Sequence, residues 1–242
     1  MKHSFTIFLL SLLTLSAAAE SWTDANGTTY EFSINETNNG RQVNIYSVHN
    51  CPKNFTIPNK IYYETTAYEV YRLSGWSFFQ DNERATIESV TMPNTVEIID
   101  GQAFHDCTAL KQITLSTSVK EIGELTFYNC TSLKTIDIPA TTIGKNAFSG
   151  CTSLQNVVLS GPVTTIQEGT FKGCPSLLKI NLPSTVTTIE KEAFYNCTSL
   201  EIKAPAALTS IGENAFFGSN IIHMTATTPP TLNSNNLINA TA

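Results

Sequence analysis

Residues 166–183 have the sequence IQEGTFKGCPSLLKINLP, and variants of this phrase begin at Ile122, Ile143 and Ile189. One phenylalanine keeps its place in every copy, and successive copies are separated by 23, 21, 23, 23 and 22 residues. These phenylalanines are Phe104, Phe127, Phe148, Phe171, Phe194 and Phe216. A period of this length predicts a solenoid whose coils each bury an apolar face against their neighbours.

Each coil is predicted to contain two short strands and a turn. In residues 180–182 the outward residue Asn181 lies between two apolar ones, which is strand periodicity, and Pro183 ends the strand because it cannot donate to a ladder. Val186 and Ile189 recur at the same spacing in other copies and predict a second strand. The GxxAFxxC segment is too short for a stable helix, so we expect a turn with an inward phenylalanine.

The first 19 residues predict a cleavable secretory signal. Lys2 precedes an apolar run from Phe5 to Leu15, and three alanines follow at 17–19. The run is too short for a bilayer, which needs roughly 20 apolar residues, and its layout is typical of a signal peptide. No later apolar run is long enough for a membrane span. A secreted or surface-displayed protein is therefore predicted.

The remainder is predicted to form three segments. Residues 20–72 lack the phrase, and their alternating apolar residues predict a small antiparallel β cap with lead-in strands over the first coil. Residues 73–224 are predicted to form the solenoid, and residues 225–242 a polar tail. The first copy is irregular, and a short insertion is predicted near 81–85.

Charge and cysteine spacing restrict the partner and the redox chemistry. The formal net charge is −6 without a Lys/Arg run, which argues against nucleic acid as the partner. Five of the six cysteines each lie three residues after a repeat phenylalanine, a place that suits a buried thiol better than a disulfide. These five are Cys107, Cys130, Cys151, Cys174 and Cys197, whereas Cys51 stands outside the repeat.

The consensus IGxxAFxxCxSLxxIxLPxxVxxI resembles the BspA-like leucine-rich repeats, the Cys-containing type of bacterial and protist surface and secreted proteins. The resemblance covers residues 68–224, and five copies hold Phe, Cys, Leu and Ile in register. It implies a mainly β leucine-rich-repeat solenoid of about 22–23 residues per coil. It also implies adhesion to an extracellular protein or glycan, and it implies no catalytic residues, cofactor or metal ligands.

Two surfaces are candidates for binding such a partner. The first is a strip of outward strand residues, one per coil: Thr114, Asp137, Val158, Asn181 and Lys203. The second is a turn ridge, favoured by its aromatic residues: Tyr128, Lys172, Tyr195 and Phe217. An ordinary solvated solenoid face explains either set equally well, and strand propensity explains pairs such as Thr164-Thr165.

Signals for catalysis are weak. His105 lies two residues before Cys107, but its counterparts in other copies vary, which is typical of a surface turn. No phosphate-binding loop, HExxH or GxSxG motif is present. The alternatives are a polysaccharide-acting β-solenoid enzyme, for which the strip offers only Asp137, Lys179 and Lys203, and a glycan-binding accessory module.

Six N-x-(S/T) sequons add a possible modification. They begin at Asn26, Asn35, Asn54, Asn129, Asn196 and Asn239. Asn129 and Asn196 occupy the same slot of the repeat, where turn chemistry alone explains an asparagine.

Overall fold

The computed structural model describes residues 20–37, 40–75, 78–79, 81–219, 221–224 and 230–232. The predicted signal segment 1–19 and Asn239 lie outside these residues, as does the predicted tail except 230–232. The described elements in chain order are β1 (Glu20–Thr23), β2 (Thr29–Thr37), β3 (Gly40–His49), β4 (Asn54–Thr56), β5 (Lys60–Tyr63), β6 (Thr66–Leu73), α1 (Asp81–Arg84), β7 (Ser89–Thr91), β8 (Ile98–Ile99), β9 (Gln112–Thr114), β10 (Glu121–Ile122), β11 (Thr135–Ile138), β12 (Thr142–Ile143), β13 (Asn156–Leu159), β14 (Thr165–Ile166), β15 (Lys179–Asn181), β16 (Thr188–Ile189), β17 (Glu201–Ala204), β18 (Ser210–Ile211), β19 (Ile221–Met224) and β20 (Thr231–Leu232).

The first strand of every coil joins one all-parallel sheet, called here the long sheet. Its eight strands follow the order β4, β7, β9, β11, β13, β15, β17 and β19. Equivalent residues pair in register, so Val157 lies opposite Ile136 on one side and Ile180 on the other. At 4.7–4.9 Å per strand the long sheet is about 34 Å wide. The predicted mainly β solenoid is therefore confirmed.

The second strand of each coil, also predicted, forms a ladder that is interrupted once. Strands β8, β10 and β12 pair in parallel, and a separate sheet contains β14, β16, β18 and β20. The interruption falls where residues 138–143 are two residues shorter than the equivalent residues 159–166. There the N–H groups of Ser160 and Gly161 both donate to the Ile138 carbonyl, at 3.0 and 3.1 Å.

The segment predicted as an antiparallel cap is antiparallel only in part. Strands β1, β2 and β3 pair antiparallel, as do β5 and β6. However, β6 pairs in parallel with β3 and β8, and β4 pairs in parallel with β7. These strands have to continue the parallel ladders of the coils, so the cap shares its sheets with the solenoid. The short insertion predicted near 81–85 contains the single helical turn α1.

The repeat phenylalanines form a column of stacked rings inside the solenoid. From Phe104 to Phe216 the ring centroids of neighbouring coils lie 5.1–5.5 Å apart, and the rings are within 13° of parallel. At the N-terminal end Phe79 contacts Phe104, and the contacts continue from Phe79 through Phe55 to Tyr30. The cap therefore covers the open end of the column with aromatic rings.

The five repeat cysteines are free and buried, as predicted. Each thiol from Cys130 to Cys197 donates to the backbone carbonyl of the phenylalanine in the preceding coil, at 3.0–3.2 Å. Ser219 occupies the same slot in the last coil, and its hydroxyl donates to the Phe194 carbonyl at 2.8 Å. The slot therefore selects a small side chain that can donate a hydrogen bond to the neighbouring coil.

Each of the six turns between Ile99 and Gly218 contains two residues in the left-handed region of backbone conformation. At the third residue after the turn's isoleucine these are Gln102, Leu125, Asn146, Gly169, Glu192 and Asn214, with φ between 52° and 65°. At the second residue after the phenylalanine they are Asp106, Asn129, Gly150, Gly173, Asn196 and Gly218, with φ between 56° and 77°. A Cβ at Gly150 would overlap Asn129 Oδ1 of the preceding coil, so the glycine leaves room for the Asn129 side chain.

We expect Leu125→Asn to stabilise the fold. Leu125 has a φ of 57°, and left-handed backbone costs an ordinary residue roughly 1–2 kcal/mol but costs Asn less. A gain of about 1 kcal/mol in the free energy of unfolding is expected, to be measured by urea denaturation. The matched control is Asn214→Leu at the equivalent turn, which should destabilise by a similar amount. An unchanged or lower stability for Leu125→Asn would contradict the expectation.

Candidate binding surface

The five residues of the predicted strip form an exposed column on the long sheet. Thr114, Asp137, Val158, Asn181 and Lys203 are all exposed and lie between buried strand residues. Asp137 is opposite Val158, and Val158 is opposite Asn181. The column is longer than predicted, because Thr56 and Thr91 precede Thr114 in register and His223 follows Lys203.

A second outward column, exposed except at the half-buried Ser89, runs beside the first and was not predicted. Its residues pair in register from strand to strand: Asn54, Ser89, Gln112, Thr135, Asn156, Lys179 and Glu201. Each lies two residues before a strip residue, so the period of two in the strands could have identified it. The two columns together make the outward face of the long sheet, called here the sheet face.

Charge is distributed unevenly over the sheet face. From β4 to β9 the outward residues of both columns are Ser, Thr, Asn and Gln, and Asp137 introduces the first carboxylate. The Asp137 carboxylate accepts a hydrogen bond from the Ser160 hydroxyl at 2.6 Å. Beyond Val158, which is 52% exposed, the face presents Lys179, Glu201, Lys203 and His223. These four residues line a shallow depression of about 460 Å³ together with Asn181.

Lysines elsewhere on the solenoid form ion pairs between neighbouring coils. Lys111 Nζ lies 2.6 Å from Glu88, Lys120 Nζ 2.6 Å from Glu97 and Lys145 Nζ 3.1 Å from Glu168. The hydrogen bond from Lys111 lowers the pKa of the exposed Glu88 carboxyl. Lys179 and Lys203 form no ion pair within the described residues.

The predicted turn ridge divides into two stacks. The Tyr128 ring stacks on His105 with centroids 5.2 Å apart. Farther along, Lys172 Nζ lies 5.4 Å from the centre of the Tyr195 ring, which stacks on Phe217 at 5.2 Å. The intervening position is the small, buried Ser149, so the ridge is not continuous. Lys172 is also engaged by Glu192 at 2.6 Å.

Threonines directly before the second strands form hydrogen bonds between neighbouring coils. The hydroxyls of Thr141, Thr187 and Thr209 donate to backbone carbonyls of the preceding coil at 2.9–3.4 Å. They extend the ladder between coils, which supports the structural explanation of the Thr-Thr motif.

The sequence neighbours His105 and Cys107 do not form a nucleophile and base. His105 Nδ1 lies 3.0 Å from Asp106 on the turn, whereas Cys107 is fully buried. Burial raises the pKa of the Cys107 thiol to about 12, the opposite of the lowered pKa that an activated cysteine requires. Within the described residues, no group of three or more His, Cys, Asp and Glu is arranged to hold a metal ion.

Carboxylates on the sheet face are too far apart to hydrolyse a glycoside as a pair. Asp137 and Glu201 lie on β11 and β17, three strand steps apart, which places them about 14 Å from each other. Glycosidases hold their two carboxyl groups about 5 to 9.5 Å apart. The enzyme alternative therefore finds no matching pair among the described residues of this face.

The repeat defines the family. A model of the BspA type leucine rich repeat region matches residues 75–201 and 164–237, with 6 copies. The chain therefore belongs to the BspA-type leucine-rich repeat family, as its repeat phrase predicted.

Solved structures with the same fold include a bacterial cell surface protein and two other leucine-rich repeat proteins. A leucine rich cell surface protein from Faecalibacterium prausnitzii A2-165 is 32% identical, with a TM-score of 0.72 over 89% of this chain and 57% of that chain. A leucine-rich repeat protein from Bacteroides ovatus is 27% identical, with a TM-score of 0.55 over 78% of this chain and 55% of that one. A leucine rich repeat protein from T. pallidum is 25% identical, with a TM-score of 0.58 over 80% and 82%.

The chain thus spans little more than half the length of the first two relatives. No match is found among curated proteins. In the described part of the chain, no helix is long and apolar enough to cross a bilayer.

Proposed function

We propose that this chain is a secreted or surface-displayed adhesion protein that binds an extracellular protein or glycan through the sheet face. The observation that carries the proposal is the pair of exposed columns in register across the long sheet. Similarity to a bacterial cell surface protein supports surface display. The predicted signal segment supports export, because its basic residue, apolar run and small residues are laid out as in a secretory signal.

The sheet face suits binding because its shape is held from inside. Inward residues of the strands are buried against the aromatic and thiol columns, so their outward neighbours are held at regular spacing. A partner would meet many small contacts on a rigid surface, and little conformational entropy would be lost on binding. Contacts repeated from coil to coil would add to one another in the manner of a multivalent interaction.

The turn ridge is a second candidate surface for the same function. Phe217 is 37% exposed and stacks on Tyr195, and aromatic side chains are common anchors at interfaces. The sheet face is favoured because it is continuous, whereas the ridge is interrupted at Ser149.

A binding screen with matched variants tests the sheet face. The partners are immobilised fibronectin, laminin and collagen, together with a glycan array. For a matrix-protein partner, Thr114→Arg should lower the affinity at least about tenfold, because a large charged side chain would project from the middle of the interface. The control is Thr164→Arg, a likewise exposed threonine directly before β14, which should change the affinity less than about twofold.

Three outcomes distinguish binding at the sheet face, binding at the ridge and enzymatic activity. Equal effects of both arginine variants would contradict binding at the sheet face, and loss of binding only in Tyr195→Ala would favour the ridge. Turnover of a polysaccharide by the purified protein would instead support the enzyme alternative.

A further inference from the structure

We propose that the charged depression on the sheet face binds an acidic polysaccharide, with Lys179 and Lys203 contacting its carboxylate or sulfate groups. This inference rests on the proposed function, because it names the ligand chemistry for the same face. The depression lies between β15, β17 and β19 and has a volume of about 460 Å³. The two lysines belong to neighbouring coils, so the fold brings together a basic patch that is not a run in the sequence.

Lys179 and Lys203, like Lys134 and Lys191, have no carboxylate partner among the described residues, but only Lys179 and Lys203 line the depression. Lys111, Lys120 and Lys145 each contact a glutamate of a neighbouring coil at 2.6–3.1 Å. Within the described residues Lys179 and Lys203 form no ion pair, although both are exposed on adjacent strands. Their ammonium groups are therefore available to an anion from outside.

The remaining charged groups of the depression leave it positive. Glu201 lies opposite Lys179 in the register of β15 and β17, but its carboxylate lies 3.5 Å from His223 Nε2. Two lysines against one glutamate give a local charge of +1, on a chain whose formal net charge is −6. A locally positive patch on an acidic protein favours an anionic ligand, although the Glu201 carboxylate opposes it.

The neighbouring side chains favour a polysaccharide over other polyanions. Asn181 and Asn156 adjoin Lys179 on the sheet face, and Thr135 lies beside Asn156; they offer amides and a hydroxyl to sugar hydroxyl groups. Nucleic acid is typically bound by stacking aromatics and by arginines, which make bidentate contacts with phosphate. The two described columns contain neither residue type between Asn54 and Lys203. An acidic peptide would need apolar or aromatic anchors, of which this part of the face has only Val158.

Charge-neutralising variants of the full chain test the site. The probes are heparin, which is sulfated, polygalacturonate, which carries only carboxylates, and neutral dextran, measured by titration calorimetry in moderate salt. Lys179→Gln combined with Lys203→Gln should weaken binding of an acidic polysaccharide about tenfold, equivalent to about 1.4 kcal/mol. The affinity should also fall as salt is raised, because the contacts are exposed charges. Dextran should not bind measurably.

Two further variants distinguish a specific site from general charge. Glu201→Gln should strengthen binding by about twofold or more, because it removes the competing carboxylate without altering the sheet. Lys60→Gln combined with Lys191→Gln removes the same charge from β5 and from a turn, and should change the affinity less than about twofold. Binding of heparin but not polygalacturonate would assign the ligand group as sulfate, and the reverse would assign it as carboxylate.

Several results would overturn the inference. These are equal weakening by the two lysine pairs, equally tight binding of poly-glutamate or single-stranded DNA, and no binding of either acidic polysaccharide. If the acidic polysaccharides do not bind while Thr114→Arg still abolishes binding of a matrix protein, this inference fails and the proposed function stands. If no macromolecule binds in either screen, both fail.

Discussion

Replacing Phe171 with alanine is expected to unfold the central coils. Its ring is fully buried and stacks between Phe148 and Phe194, with centroid distances of 5.4 and 5.5 Å. Truncating a buried phenylalanine costs about 3–5 kcal/mol, which is a large part of the roughly 5–15 kcal/mol that stabilises a typical domain. A coil contacts only its neighbours, so the loss should interrupt the column in the middle of the rod.

The control for this experiment is Asn181→Ala on the sheet face. Asn181 is exposed, and surface substitutions usually change stability by less than about 0.5 kcal/mol. Urea denaturation followed by circular dichroism compares the two variants with the parent chain. Similar losses of stability in both would mean that the inward and outward positions have been assigned wrongly.

Raising the pH from 7.5 to 9.5 is expected to remove about 7 kcal/mol of stability through the five repeat thiols. Burial raises the pKa of Cys107, Cys151 and Cys197 to about 12, and that of Cys130 and Cys174 well above the usual value. The unfolded chain releases these protons above a pKa of about 8.5, whereas the folded chain retains them. Stability is therefore complete below that pH and falls as the pH rises toward the folded pKa, by about 1.4 kcal/mol per thiol at pH 9.5.

A variant with fewer thiols provides the check. Cys130→Ala combined with Cys174→Ala is less stable at pH 7.5, but it should lose only about 4 kcal/mol between pH 7.5 and 9.5, because three buried thiols remain. Urea denaturation under reducing conditions at several pH values measures both slopes. Equal slopes for the parent and the variant would contradict a thiol origin of the pH dependence.

The interior of the solenoid could be predicted from the sequence because one physical requirement repeats in every coil. A residue that stacks on its equivalent must suit the same environment each time, so Phe, Cys and Ile recur with the period. Both strands of the coil and the free thiols follow from that repetition. Even Ser219 obeys it, since its hydroxyl makes the hydrogen bond that a thiol makes in the coils before it.

Features that occur once, or that depend on the backbone, could not be predicted in the same way. Strand β4 has only three residues and no repeat phrase, so its parallel pairing with β7 has no signal in the sequence. Leu125 occupies a left-handed position that its residue type disfavours, and only its counterparts Asn146 and Gly169 indicate it. The positive charge of the depression at Lys179 and Lys203 depends on which lysines pair with glutamates. The repeat pattern does not show this side-chain geometry.

The sheet face could be outlined but not completed from the pattern. One outward column follows from the residue between two apolar positions, as at Asn181. The second column is displaced by two residues along each strand, and its residue type varies from coil to coil, so the repeat phrase does not mark it. The spacing of the repeat does not show whether either column binds a partner, because outward residues vary from coil to coil.

Selective blocking of the sheet face tests the central claim most directly. The native thiols are buried or have a raised pKa, so a cysteine introduced at an exposed position should react alone with a bulky maleimide at neutral pH. Val158→Cys places the label in the middle of the sheet face, and Thr164→Cys places it directly before β14, away from that face. We predict that the label at 158 abolishes binding to the partner found in the screen, whereas the label at 164 leaves it unchanged. Unimpaired binding with position 158 fully labelled would contradict the account.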